Sequence, residues 1–355
     1  MGVARRIWID VTGLRPGSDA GLYGLHLTRA LIRAGEDVQP CLRAPGLVCL
    51  SVDALAETLH VPPFELTNTT PPRLSFREPA LRSEDGVDLP GEQDIVLFLS
   101  LRGDGSRMAA RGAKLVLLAT NVTTLSRPEW REQREVEEAQ LWLRDTAPHI
   151  SLTIAQSEEA AAVLRLAGIK VFRTMRGASD AGVPNEAAAH PNPFIFASGE
   201  IGEAGQTRQL LPVWRRLLET MPEGSVPDLI VAGPLGPQSH DVLDLFCNSQ
   251  FIDGRARVIL YPSPAQIATF ARDCVFAVSM SPATGWGRGT LNAQCMGASC
   301  LSAFLSHGAV PFDPENAAAV AARIRAWLVD PAVKPPLFAR SWDDAARDLL
   351  RLLAA

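Results

Sequence analysis

The chain has 355 residues, enough for two domains that each bury a full core. A formal net charge of −5, with 21% charged and 47% hydrophobic residues, describes an ordinary globular protein and offers no basic field to attract nucleic acid. No apolar run reaches the roughly 18 residues needed to span a bilayer. Arg5 and Arg6 lead into Ile7, Trp8, Ile9 and then Asp10, which is too short and too soon charged for a signal peptide. Six cysteines in a chain this size make no disulfide framework, and Cys295 and Cys300 lack the CxxC spacing of zinc or redox sites. These features predict a cytoplasmic protein, or one peripheral at the inner face of the membrane.

In chain order, residues 6–12 alternate apolar side chains and predict a first strand. Residues 13–21, with Pro16, Gly17 and Asp19, form a turn-rich loop. Leu22, Leu25, Leu27, Leu31 and Ile32 then fall near helical spacing, and Gly35 ends that helix. Strand, loop and helix make a βα unit. His26 lies inside the helical pattern and reads as a packed or surface side chain. Residues 60–93 are irregular and proline-rich, and are expected to cover one domain edge. Residues 94–100 and 113–119 are short apolar runs of the kind found in buried parallel strands. A helix over 135–147, a strand over 150–155 and a helix capped by Ser157 follow, the last stopping at Gly168. Residues 171–177 complete the first domain, and the Gly-, Pro- and Ala-rich stretch that follows reads as a linker.

The second half repeats the pattern. Residues 194–202 give a strand ending in a glycine turn at Gly199, followed by an amphipathic helix over 209–220. A strand and glycine turn are predicted at 228–236 and a strand at 256–261, and Ser263, Pro264 and Gln266 form a capping box. Residues 275–279 read as a buried strand. After them, Gly285, Gly287 and Gly289 precede a helix over 291–296, a position where backbone N–H groups and the helix dipole favour an anion. The alternative for this loop is a tight turn around a packed Trp286. Two closing helices are predicted, 316–329 and 342–353.

Taken together, Gly285-Trp286-Gly287, Pro128-Glu129-Trp130, the Ser157-capped helix and the glycine turn after residue 198 resemble the retaining glycosyltransferases of family four. The resemblance implies an α/β protein of the GT-B fold, with two Rossmann-like domains facing each other across a cleft. It places an acceptor-side domain at 1–180, a linker at 181–193 and a nucleotide-sugar-side domain at 194–340. The helix of 341–355 is then expected to pack back on the first domain. The family's catalytic His-Asp pair falls on Thr120 and Asn121. Its two donor-loop glutamates fall on Thr284 and Asn292, and its diphosphate-gripping Arg or Lys falls on Ala204 and Gly205. Arg208 could reach back to replace that cation or could be a charged helix face.

The resemblance assigns catalytic positions to Thr120, Asn121 and Thr284. It assigns donor binding to Gly199, Arg208, Gly285, Trp286, Gly287, Thr290 and Asn292, and the acceptor side to Gly21 and Tyr23. No cofactor or metal is implied, the nucleotide sugar being a substrate. Two functions follow. One is a transferase moving a sugar from a nucleotide sugar to a glycan or glycoconjugate acceptor in polysaccharide assembly, through a rearranged site. The other is a non-catalytic scaffold that keeps the fold and binds a protein partner, an active transferase; a homo-oligomer is a further possibility.

Overall fold

The computed structural model describes residues 5–13, 15, 17–43, 47–67, 89–187, 190–282, 286–303, 310–330 and 340–354. Two seven-stranded sheets organise these residues. The first contains β1 (Arg6–Asp10), β2 (Asp37–Arg43) and β3 (Leu47–Cys49), then β5 (Ile95–Phe98), β6 (Lys114–Ala119), β7 (Ile150–Ala155) and β8 (Arg173–Thr174). The second contains β4 (Phe64–Leu66), β9 (Phe194–Ser198), β10 (Asp228–Gly233), β11 (Ala256–Leu260), β12 (Ala277–Ser279), β13 (Cys300–Ser302) and β14 (Val310–Pro311). The strand orders are β3-β2-β1-β5-β6-β7-β8 and β14-β13-β12-β9-β10-β11-β4. Every pairing is parallel except β2 with β3 and β11 with β4. Parallel strands buried on both faces need continuous apolar runs, and β5 (Ile-Val-Leu-Phe) and β9 (Phe-Ile-Phe-Ala-Ser) supply them.

Helices cover both faces of the first sheet: α1 (Asp19–Arg33), α2 (Val52–Leu59), α3 (Ser106–Ala110), α4 (Thr123–Ser126), α5 (Gln133–Asp145) and α6 (Glu158–Leu166). Those of the second half are α7 (Leu210–Thr220), α8 (Ser239–Asn248), α9 (Gln250–Gly254), α10 (Pro264–Asp273), α11 (Arg288–Cys295), α12 (Ala317–Val329) and α13 (Trp342–Ala354). Local chemistry sets several ends. Ser157 caps α6 through Ala160 N, and Ser263 with Gln266 forms the reciprocal capping box of α10. By contrast α9 is a left-handed turn, with φ between 48° and 78° from Gln250 to Gly254.

Among the described residues, three segments cross between the halves. Phe64–Leu66, expected to be irregular and part of the first domain, forms β4 and closes the edge of the second sheet against β11. Its outer carboxylate, Glu65, holds Arg257 through two contacts of 2.6 and 2.8 Å, which keeps the Glu65 carboxyl below its ordinary range. Trp342, Ala345, Ala346 and Leu349 of α13 pack into the core around α1 in the first half. Trp286 and Leu291, from the second half, are buried in that same core. Trp286 meets Tyr23 and Trp342 edge-on at 5.1 and 5.5 Å, and its indole N–H donates to the Ala178 carbonyl at 3.1 Å. Among the described residues, no helix is long and apolar enough to cross a membrane.

Candidate functional site

Parallel α/β sheets open crevices beyond the carboxyl ends of their strands, where neighbouring connections diverge to opposite faces. Here both sheets have such a point. β1 sits between β2 and β5, and β9 between β10 and β12. The two crevices face each other and enclose a cleft of about 1250 Å³ including its open mouth. Ser18, Arg102 and Asn121 line it from the first half, and Gly199, Gly233 and Gly287 from the second.

Glycine is required on the second wall. A side chain at Gly205 would overlap the Glu200 carbonyl, so the turn after β9 folds tightly on itself. Gly287 has φ 68° at the N-cap of α11, and the first turn of that helix opens into the cleft through Arg288 and Gly289.

Among the described residues, the positive charge in the cleft comes from arginines, each meeting a carboxylate. Arg102 contacts Glu135 at 2.6 Å and Glu138 at 3.3 Å within the first half. Arg131 donates to Glu200 at 3.2 Å across the cleft. Arg288 donates through Nε to Asp180 at 2.8 Å and through Nη1 to the Gly17 carbonyl at 3.2 Å, so it also joins the halves. Elsewhere in the first half, Arg15 holds Glu132 at 2.7 Å, and this contact lowers the Glu132 pKa. Among the described residues, no group of three or more His, Cys, Asp or Glu side chains could hold a metal ion.

The residues singled out from the sequence separate into two groups. Asn121, Gly199 and Gly287 line the cleft, and Asn121 Oδ1 also accepts from Thr123 N at 2.8 Å. The other described ones do not line it. Thr120, just past the end of β6, is fully buried and donates its hydroxyl to the Leu99 carbonyl at 2.8 Å. Trp286 and Tyr23 are fully buried in the first core, where burial pushes the Tyr23 phenol up to about 12. Gly21 is buried in the first turn of α1, its N–H donating to Ser18 Oγ at 3.2 Å. Thr290 is buried and hydrogen-bonded to Ser302 Oγ at 3.3 Å. Asn292 is also buried: Oδ1 accepts from Ser179 Oγ (2.8 Å) and Asp180 N (3.1 Å), while Nδ2 donates to Asp180 Oδ1 (2.6 Å). Arg208 lies half-exposed on Glu203 at 3.2 Å, outside the cleft. Thr284 and Gly285 lie outside the described residues.

Sequence reasoning missed Arg102, Arg131, Arg288, Asp180 and Glu200. One local signal was available for Arg288, since it sits between the two glycines at the helix start and follows the Gly-Trp-Gly frame.

No protein-family model matches this sequence, and no curated protein matches it. Solved structures do resemble it in shape. Sucrose-phosphate synthase from Thermosynechococcus elongatus superposes with a TM-score of 0.67 at 13% identity, covering 99% of this chain and 98% of that one. HepE of Anabaena in complex with UDP and glucose gives a TM-score of 0.67 at 14% identity, covering 99% of both chains. TarM is more distant, with a TM-score of 0.53 at 11% identity over 74% of this chain and 54% of its own. Identities this low establish architecture alone, and the architecture is GT-B: two α/β halves whose strand ends meet at one cleft.

Proposed function

We propose that the protein is a glycosyltransferase that binds a nucleoside diphosphate sugar in the cleft and transfers the sugar to a glycan or glycoconjugate acceptor. The observation that carries the reading is the convergence of Arg102, Arg131 and Arg288 with the N-terminus of α11 at the strand ends of both sheets. Departure of a nucleotide diphosphate develops negative charge, and preorganised cations and helix N–H groups are what stabilise it. HepE, of the same fold, has been solved with UDP and with UDP-glucose, which supports the donor class. We place the donor against the second half, at Gly199, Gly287 and Arg288, and the acceptor near Ser18 and Asn121. The family-four type, a metal-free reaction, polysaccharide assembly and a cytoplasmic setting at the inner face of a membrane belong to this reading.

The site is atypical of family four, since uncharged side chains stand at its His and Glu positions. A second reading, a non-catalytic partner of an active transferase, is favoured by one observation: each cleft arginine already has a carboxylate partner. Thermal unfolding against nucleoside diphosphates and their sugars separates the two. Ligand at a hundred times its dissociation constant adds about 2.7 kcal/mol and raises the midpoint. A flat response at millimolar concentrations removes the transferase reading.

A further inference from the structure

A diphosphate brings several negative charges into a partly desolvated cleft, and cations have to meet them. The turn after β9 has no cation of its own to offer, since Ala204 and Gly205 occupy it. Ala204 is buried against Trp130 of the first half, and its carbonyl accepts from Ser281 Oγ at 2.7 Å. The residue after Trp130 is Arg131. The Trp130–Ala204 contact therefore carries a guanidinium from one half to the turn of the other, where Nη1 donates to Glu200 Oε2.

This ion pair is incompletely made. The Arg131 side chain is 11% exposed, yet its Nε is buried without a hydrogen-bond partner. Glu200 Oε1 is likewise buried without a partner. Elsewhere in the molecule guanidinium forks are used more fully: Arg257 grips Glu65 through two nitrogens, and Arg288 divides two between Asp180 and Gly17. A planar fork with an unmade donor, at the carboxyl end of a parallel strand beside a glycine turn, suits a bidentate oxyanion. Resting on the nucleotide-sugar reading above, we propose that Arg131 binds the donor's diphosphate from the opposite half, and that Glu200 holds this guanidinium until the donor arrives. Donor binding then exchanges an internal ion pair for a ligand ion pair across the same gap.

Titration calorimetry of UDP, GDP and the corresponding nucleosides against the whole protein tests this. Arg131→Gln is expected to weaken diphosphate binding by about tenfold or more and to leave the nucleosides unaffected. Arg131→Lys, which keeps a charge but loses the fork, should fall between the two. Glu200→Gln frees the guanidinium and is expected to tighten the diphosphate severalfold, opposite in sign to the loss of a purely structural bridge. Thermal melts of the three variants confirm that each is folded. A wild type that binds a diphosphate, with Arg131→Gln binding it equally well or Glu200→Gln binding it more weakly, overturns the assignment alone. A wild type that binds no nucleoside diphosphate overturns the donor reading and this assignment with it.

Discussion

Replacing Asn292 with alanine asks whether this amide serves a ligand or the join between the halves. Its side chain is 1% exposed and makes three hydrogen bonds to Ser179 and Asp180. Alanine removes all three and leaves a buried backbone N–H and a buried carboxylate oxygen without their partners. Each buried polar group stranded in this way costs about 1–3 kcal/mol, and a charged one more. Two contacts soften the loss: Arg288 still neutralises Asp180, and Ser179 Oγ still accepts from Ala181 N. The expected destabilisation is therefore about 3–4 kcal/mol. Urea denaturation of the ligand-free protein, followed by far-ultraviolet circular dichroism, measures it directly. A variant within about 1 kcal/mol of the wild type, with nucleotide affinity reduced more than about tenfold, would refute the structural role and return Asn292 to donor binding.

Trp286→Ala should cost about 3–5 kcal/mol, because the indole is fully buried between Tyr23 and Trp342; a near-neutral effect in the same denaturation assay would contradict its place in the core. His26 stacks on Trp342 at 5.1 Å, and burial, outweighing the opposing pull of Asp180, holds its pKa below the ordinary 6.5. Its neutral form is the one the fold accommodates, so this contribution is complete above pH 6.5 and is lost as the pH falls from there through the folded value. Amide exchange in α13, corrected for intrinsic rates, should accelerate at pH 5.5 relative to pH 7.5 in the wild type and less so in His26→Gln. Asp253 is exposed with φ 55°, so Asp253→Gly should add about 1 kcal/mol and raise the melting midpoint by about 2 °C; a lower midpoint would count against the left-handed turn.

Much of the architecture was legible because its signals are local. The apolar runs of β5, β6 and β10 announce buried parallel strands, and Ser157 and Ser263 mark helix starts through hydrogen bonds made within four residues. β4 was illegible, since a three-residue Phe-Glu-Leu segment has no period to read and its partner lies far along the chain. The site divided along the same line. Glycine positions such as Gly287 follow from backbone geometry and could be placed, whereas Arg131 with Glu200 and Arg288 with Asp180 exist only once the two halves meet. Thr120 and Asn121 could not be told apart in the sequence, since both follow the strand that ends at Ala119 and only the folded chain turns one to the Leu99 carbonyl and the other to the cleft.

The exchange of β4 between the halves also sets a clock on synthesis. Glu65 leaves the ribosome 192 positions ahead of Arg257, the residue it grips. At roughly 5–20 residues per second that separation is about 10–40 s. Through this interval Phe64 and Leu66 have been made and the strand they complete has not. A nascent chain in this state presents an unsatisfied backbone edge to its neighbours, and the wait lengthens wherever translation slows between the two segments.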